Sequence, residues 1–342
     1  MVDAYTDDPL RERGGPDWSV WMSALAVQSP ELSRGLECLR ALQVCLHPSD
    51  GAAPNLKRAR QAVMKYVGQA RCPSSSACDK LASRCALLQS LLQTEANADQ
   101  QAEPHMLELL APAIQKLLAM CEGADDRGAV LLRAVRGLVR QWLEAVGRST
   151  LGAVERAYLI YPVAMSDQVG SVDAQWWWSQ LAQCDRLTVI GLAQAEVAEM
   201  DMTQPSVTVN WKSFDRRWRR LRLKALLEHL GDTSVLAELL RRSAVDDFEA
   251  AQAIGAMVKA GRVREAIAQA EQWGRSLPRS PVLAQALFEL YIADGWDEEA
   301  IALAKAHFEL DPNPVWLDRL AAMTNPQAQA LAEQFRQLGA VR

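Results

Sequence analysis

The sequence predicts an all-α protein whose C-terminal part is a helical-hairpin array, preceded by one or two helical-bundle blocks. Three observations carry this. Ala, Leu, Gln, Arg and Glu dominate the 342 residues, apolar positions recur at three-to-four spacing, and the Val/Ile/Thr alternation of strands is almost absent. Hydrophobic residues make up 49% and charged residues 23%, enough to bury a core. Finally, Gly261-Arg-Val-Arg-Glu-Ala-Ile-Ala-Gln-Ala and Gly295-Trp-Asp-Glu-Glu-Ala-Ile-Ala-Leu-Ala lie 34 residues apart (261 to 295), as do Pro278 and Pro312. A fixed period of this length marks stacked helical hairpins, each burying its apolar face on its neighbours.

Taken in order, residues 1–16 hold Pro9, Gly14, Gly15 and Pro16 among charges and are expected to be a loose leader. A first helical block over 17–93 follows, with helices near 17–28, 30–46, 55–70 and 77–95. Its breaks fall at Ser29-Pro30, at His47-Pro48-Ser49-Asp50-Gly51 and at Cys72-Pro73. Residues 94–104 are polar, end in Pro104, and read as a linker. The middle block, 105–200, has helices near 105–122, 127–147, 150–161 (stopped by Pro162) and 173–200. Residues 201–211 read as an extended connection, because a lone strand has nothing to pair with. From 212 to 342, helices near 212–230, 233–242, 247–260, 263–276, 281–293, 297–309, 314–323 and 326–338 alternate with tight turns such as Leu230-Gly231-Asp232.

The residue types of the repeat follow from hairpin geometry. Glycine at the turn admits a positive φ. Asp297 is placed to cap the second helix, with Glu298 and Glu299 in its first turn. Ala266, Ala270, Ala300 and Ala304 keep one helix face thin for close approach. Ile267, Ile301 and Leu303 supply its grip, and Pro278 and Pro312 end it.

With Gly261/Ala266/Ala270/Pro278, Gly295/Ala300/Ala304/Pro312, Leu287, Tyr291 and Phe308-Glu-Leu-Asp-Pro312, residues 247–325 resemble the tetratricopeptide repeat family. The chain departs from it at Ile254 and Phe288, where the family has a small residue, and the unit from 315 keeps no recognisable second-helix signature. The resemblance implies a partner-binding groove lined by first-helix residues: Phe248, Gln252, Gly255 and Lys259, then Val282, Gln285, Glu289 and Ile292. The family's carboxylate clamp is not matched, since Ala251, Gly255, Gln285 and Glu289 occupy its places. An alternative for this face is internal packing on the middle block.

Two other features suggest surfaces. The densest basic run carries Arg216, Arg217, Arg219 and Arg220 on a helix over 212–224, where Phe214, Trp218, Leu221 and Ala225 share one face. Its readings are a solvated face with ion pairs, an acidic protein partner, or nucleic acid. Trp176-Trp177-Trp178 are three of 11 tryptophans. Successive helix positions point about 100° apart, so the three cannot all face one core, and an exposed aromatic anchor competes with a sandwiched helix.

Composition and motifs argue against other classes. The net charge of −5 is mild, giving no global pull toward nucleic acid or acidic membrane. The seven cysteines sit mostly in apolar patterns, which suits a reducing cytoplasm, and the C-x5-C-x6-C spacing of Cys72, Cys78 and Cys85 is no standard zinc pattern. No secretory signal or membrane span is expected. No phosphate loop, dinucleotide fingerprint, His-Glu-x-x-His or nucleophile elbow occurs, and His47, His105, His229 and His307 are scattered. The sequence therefore predicts a non-catalytic cytoplasmic binding protein without cofactor or metal, acting as adaptor, chaperone or assembly subunit on a protein or peptide partner. The alternative is a nucleic-acid-associated regulator using the basic helix.

Overall fold

The computed structural model describes residues 41, 44–45, 55–68, 74–99, 104–122, 124, 126, 129–168, 170–199 and 211–339. The leader, most of the two helices expected before residue 47 and the 201–210 connection lie outside these. Among the described residues every regular element is a helix: α1 (Leu56–Val67), α2 (Ser75–Asp99), α3 (Pro104–Glu122), α4 (Val130–Arg148), α5 (Ala153–Ser166), α6 (Ala174–Ala182), α7 (Arg186–Glu199), α8 (Trp211–Leu230), α9 (Thr233–Ser243), α10 (Asp247–Lys259), α11 (Val263–Ser276), α12 (Pro281–Asp294), α13 (Asp297–Leu310), α14 (Pro314–Ala322) and α15 (Pro326–Gly339). They fall into two compact units, Met1–Leu192 and Ala193–Arg342, with the boundary inside α7.

In the first unit the core is built on α3 and α4. Trp142 is fully buried and its indole Nε1 donates to the Leu107 carbonyl at 3.0 Å. Helix α2 packs along α4, where Gln89 Nε2 donates to the Ala134 carbonyl at 3.0 Å. Gly137 leaves room for this contact: a Cβ there would sit 2.5 Å from that same Nε2, and the Gln89 amide would have to swing aside. Helix α2 continues to Asp99, across the first part of the polar stretch read as a linker. Helix α5 also outruns expectation, since Pro162 lies inside it rather than ending it. An interior proline costs a helix about 3 kcal/mol. The turn beyond it is held by tertiary burial of Val163, Ala164 and Met165, which outweighs that cost.

The second unit is four successive hairpins, α8/α9, α10/α11, α12/α13 and α14/α15, each packed on the next. The first three turn on a glycine with positive φ: Gly231 at 66°, Gly261 at 75° and Gly295 at 79°. Each turn repeats one hydrogen-bond pattern. The N–H after the glycine reaches back over a full turn, Asp232 to Leu227 O, Arg262 to Met257 O and Trp296 to Tyr291 O. Caps start the following elements, with Asp232, Asp246, Ser280 and Asn313 accepting from backbone N–H groups. Asp297 is not such a cap. It is the first residue of α13, and Trp296 precedes it without a side-chain cap. The carboxylates of Asp297, Glu298 and Glu299 instead complement the positive end of the helix.

Inside each second helix the expected alanines are buried: Ala266 and Ala270, then Ala300 and Ala304. The fourth hairpin corrects the expectation that no second-helix signature follows residue 315. Ala328 and Ala332 repeat the spacing and are buried, and Phe335, three residues after Ala332 where Phe308 is four after Ala304, stacks on Phe308. Helix α14 has only nine residues against the fourteen of α12, so the motif arrives early and slips out of the 34-residue register.

Candidate partner-binding surface

The first helices of the hairpins lie side by side in the second unit. Lys224 Nζ of α8 donates to Gln252 Oε1 of α10 at 3.4 Å, and Ser280, which caps α12, donates to Asp247 Oδ2 of α10 at 2.8 Å. Arg319 of α14 pairs with Glu289 of α12 at 2.9 Å and lies over the Phe288 ring.

Of the residues expected on this face, Phe248, Gln252, Gly255, Lys259, Val282, Glu289 and Ile292 are exposed and Gln285 is half-buried. Sequence reasoning missed the pattern within them. Phe248 (62% exposed), Val282 (38%) and Val315 (37%) each occupy the second position of a first helix, α10, α12 and α14. Val258 and Ile292 repeat at the other end of α10 and α12 and are also exposed. An apolar side chain left in solvent at the same position of successive repeats forms a ladder. The signal available in the sequence was the recurrence of an apolar residue at Phe248, Val282 and Val315, 34 and then 33 residues apart.

On the basic helix the arginines make ion pairs, in keeping with the first of its three readings, while the buried stripe differs from the one expected. The side chain of Arg216 lies outside the described residues. Arg217 is exposed. Arg219 lies 3.7 Å from Glu196, and Arg220 pairs with Glu249 at 2.6 Å while donating to the Ser243 carbonyl. The buried face of α8 is Arg222, Leu223, Leu226, Leu227 and Leu230. Leu221, expected on the apolar face with Trp218, is half exposed, because the packed stripe is rotated by one position. The helix is therefore tied into its own unit by arginine pairs.

The tryptophan triplet splits. Trp177 and Trp178 are buried and Trp176 is half-buried, so the first two are not exposed anchors. Trp177 Nε1 donates to Asp167 Oδ2 at 2.9 Å. The buried Asp167 carboxylate also accepts from Ser171 N at 2.8 Å and Val172 N at 3.2 Å, closing the loop between α5 and α6. This is a structural centre that the sequence reading did not single out.

Several carboxylates at the surface of the second unit are tied to arginines. The Arg241 guanidinium, with Arg242 behind it, holds the Glu238 carboxyl down at about 2. Glu265 is likewise lowered by its hydrogen bond from Arg262. Burial, with Cys121 nearby, pushes the Cys85 thiol up to about 12, and burial also raises Cys184, so both are poor thiolates. The described cysteines carry no disulfide, and among the described residues no His/Cys/Asp/Glu group is arranged to hold a metal. No described helix is long and apolar enough to cross a membrane. No protein-family model and no curated protein matches the chain.

Proposed function

We propose that this chain is a non-catalytic binding protein, a tetratricopeptide-like array that holds a protein or peptide partner on the first helices of α10, α12 and α14. The observation that carries the reading is the ladder of Phe248, Val282 and Val315, repeated with the hairpins and left in solvent. Fully burying such a side chain contributes at most about 1.5–3 kcal/mol, less for the partly covered valines, so a partner that covers the row gains from each rung. The polar neighbours Gln252, Gln285 and Lys259 supply donors and acceptors along the same face. The role that fits is adaptor, chaperone or assembly subunit in a cytoplasmic complex.

The test is capture of partners from source lysate by the full chain, by the Phe248→Glu/Val282→Glu double variant and by the Arg217→Glu/Arg219→Glu variant, each with and without nuclease. The reading requires a stoichiometric partner that survives nuclease and is lost with the ladder variant alone. Recovery that disappears with nuclease, or only with the arginine variant, moves the function to nucleic acid on α8 and overturns it.

A further inference from the structure

A cavity of about 460 Å³ opens between α11, α12 and α13, and it shares no residue with the ladder. It is open to solvent, and its volume falls in the range of small-molecule sites, roughly 300–1,000 Å³. The floor is apolar, built by Ala270, Leu283, Ala284, Leu287 and Leu303.

One wall is charged. Glu271 and Arg275 both line it, one turn apart on α11 and about 6 Å along the axis. A glutamate four residues before an arginine is the favoured order for an intrahelical ion pair. None forms. Glu271 Oε1 instead accepts from the Tyr291 hydroxyl at 2.9 Å, and Arg275 is exposed with no carboxylate partner among the described residues. The wall thus presents one anion and one cation, unspent on each other. His307 of α13 also lines the cavity; it stacks on Trp316 with ring centres 5.4 Å apart, and burial lowers its pKa.

Gly274 lies between the two charges and also lines the cavity. A glycine inside a helix costs stability relative to alanine, and nothing here demands it. Its φ is not left-handed, and a Cβ would meet no atom within 4 Å. It keeps this part of the cavity lining free of a side chain.

We propose that this cavity binds a free apolar α-amino acid, with its carboxylate on Arg275, its ammonium on Glu271 and its side chain on the leucine floor. The charge pattern selects this class. A simple carboxylate leaves Glu271 uncompensated, a simple amine leaves Arg275 so, and a zwitterion answers both.

The experiment is isothermal titration of the full chain with L-leucine, L-methionine and L-phenylalanine. L-phenylalaninamide and N-acetyl-L-phenylalanine serve as single-charge controls. The expected result is saturable binding of at least one free amino acid and at least about tenfold weaker binding of both controls. Glu271→Gln and Arg275→Met each weaken binding about tenfold, and Gly274→Leu abolishes it with helix content and melting retained. No saturable heat up to about 10 mM overturns the proposal, as do controls that bind equally well. Should Gly274→Leu fail to fold, the two charge variants decide alone. None of these outcomes bears on the ladder.

Discussion

Replacing Phe335 by alanine tests whether α14 and α15 are a genuine fourth hairpin of the array. Phe335 is buried, and its ring stacks on Phe308 at 4.1 Å with planes 15° apart. Phenylalanine-to-alanine changes in cores cost about 3–5 kcal/mol, of which stacking accounts for roughly 0.5–1.5. The site is in the last hairpin described, where neighbours can partly close on the void, so the expected loss is about 3 kcal/mol. The assay is urea unfolding followed by far-UV circular dichroism, with hydrogen exchange read separately over α13 and α15, because repeat arrays open locally. Phe308→Ala and the double variant complete a cycle, with an expected coupling of about 1 kcal/mol. A loss under about 1 kcal/mol, with exchange unchanged in both helices, refutes the claim that α15 closes on α13.

Gly295→Ala places a side chain at φ 79° and is expected to cost about 1–2 kcal/mol in the same urea assay, whereas Gly274→Ala is neutral or stabilising. Asp167→Ala strands the N–H donors of Ser171, Val172 and Trp177 in the interior, so the expected loss exceeds about 3 kcal/mol, with a red shift in tryptophan emission. The depressed carboxyl of Glu238 contributes stability that is complete above its ordinary pKa of 4.5 and lost as pH falls toward about 2. Glu238→Gln should therefore flatten the acid limb of a melting-temperature profile in that window and leave the alkaline limb alone. The ladder variant Phe248→Glu/Val282→Glu should lose partner capture with a melting temperature close to that of the unchanged chain, since both side chains already face solvent.

The all-helical class was legible because helix periodicity, turn glycines and caps are local signals. Gly261 and Gly295 announce their positive φ, and Asp232, Asp246 and Ser280 announce helix starts. What stayed hidden depends on tertiary context. Pro162 reads as a stop, yet burial on its far side carries α5 through. The Ala328-x3-Ala332 face escaped because shortening α14 shifts it out of period, although its contacts are kept. On α8, a one-position rotation separates the real buried stripe from the apolar one, since Arg222 goes in and Leu221 stays out. The face residues from Phe248 to Ile292 were reachable by register. The Glu271–Arg275 wall was not, because the i, i+4 spacing of those two residues predicts an ion pair, whereas Glu271 accepts from the Tyr291 hydroxyl instead.

In the second unit, packing runs largely from each helix to the next, α8 on α9, α9 on α10 and so on to α15. The entropy of closing long loops is then scarcely incurred at any step, a regime in which folding is fast. It also bears on synthesis. On a ribosome delivering about 5–20 residues per second, each hairpin finds its template, the hairpin before it, already in place as it emerges. On the function proposed above, the row of Phe248, Val282 and Val315 would then be acquired rung by rung during translation, and a partner would be able to meet Phe248 before Val315 has been made.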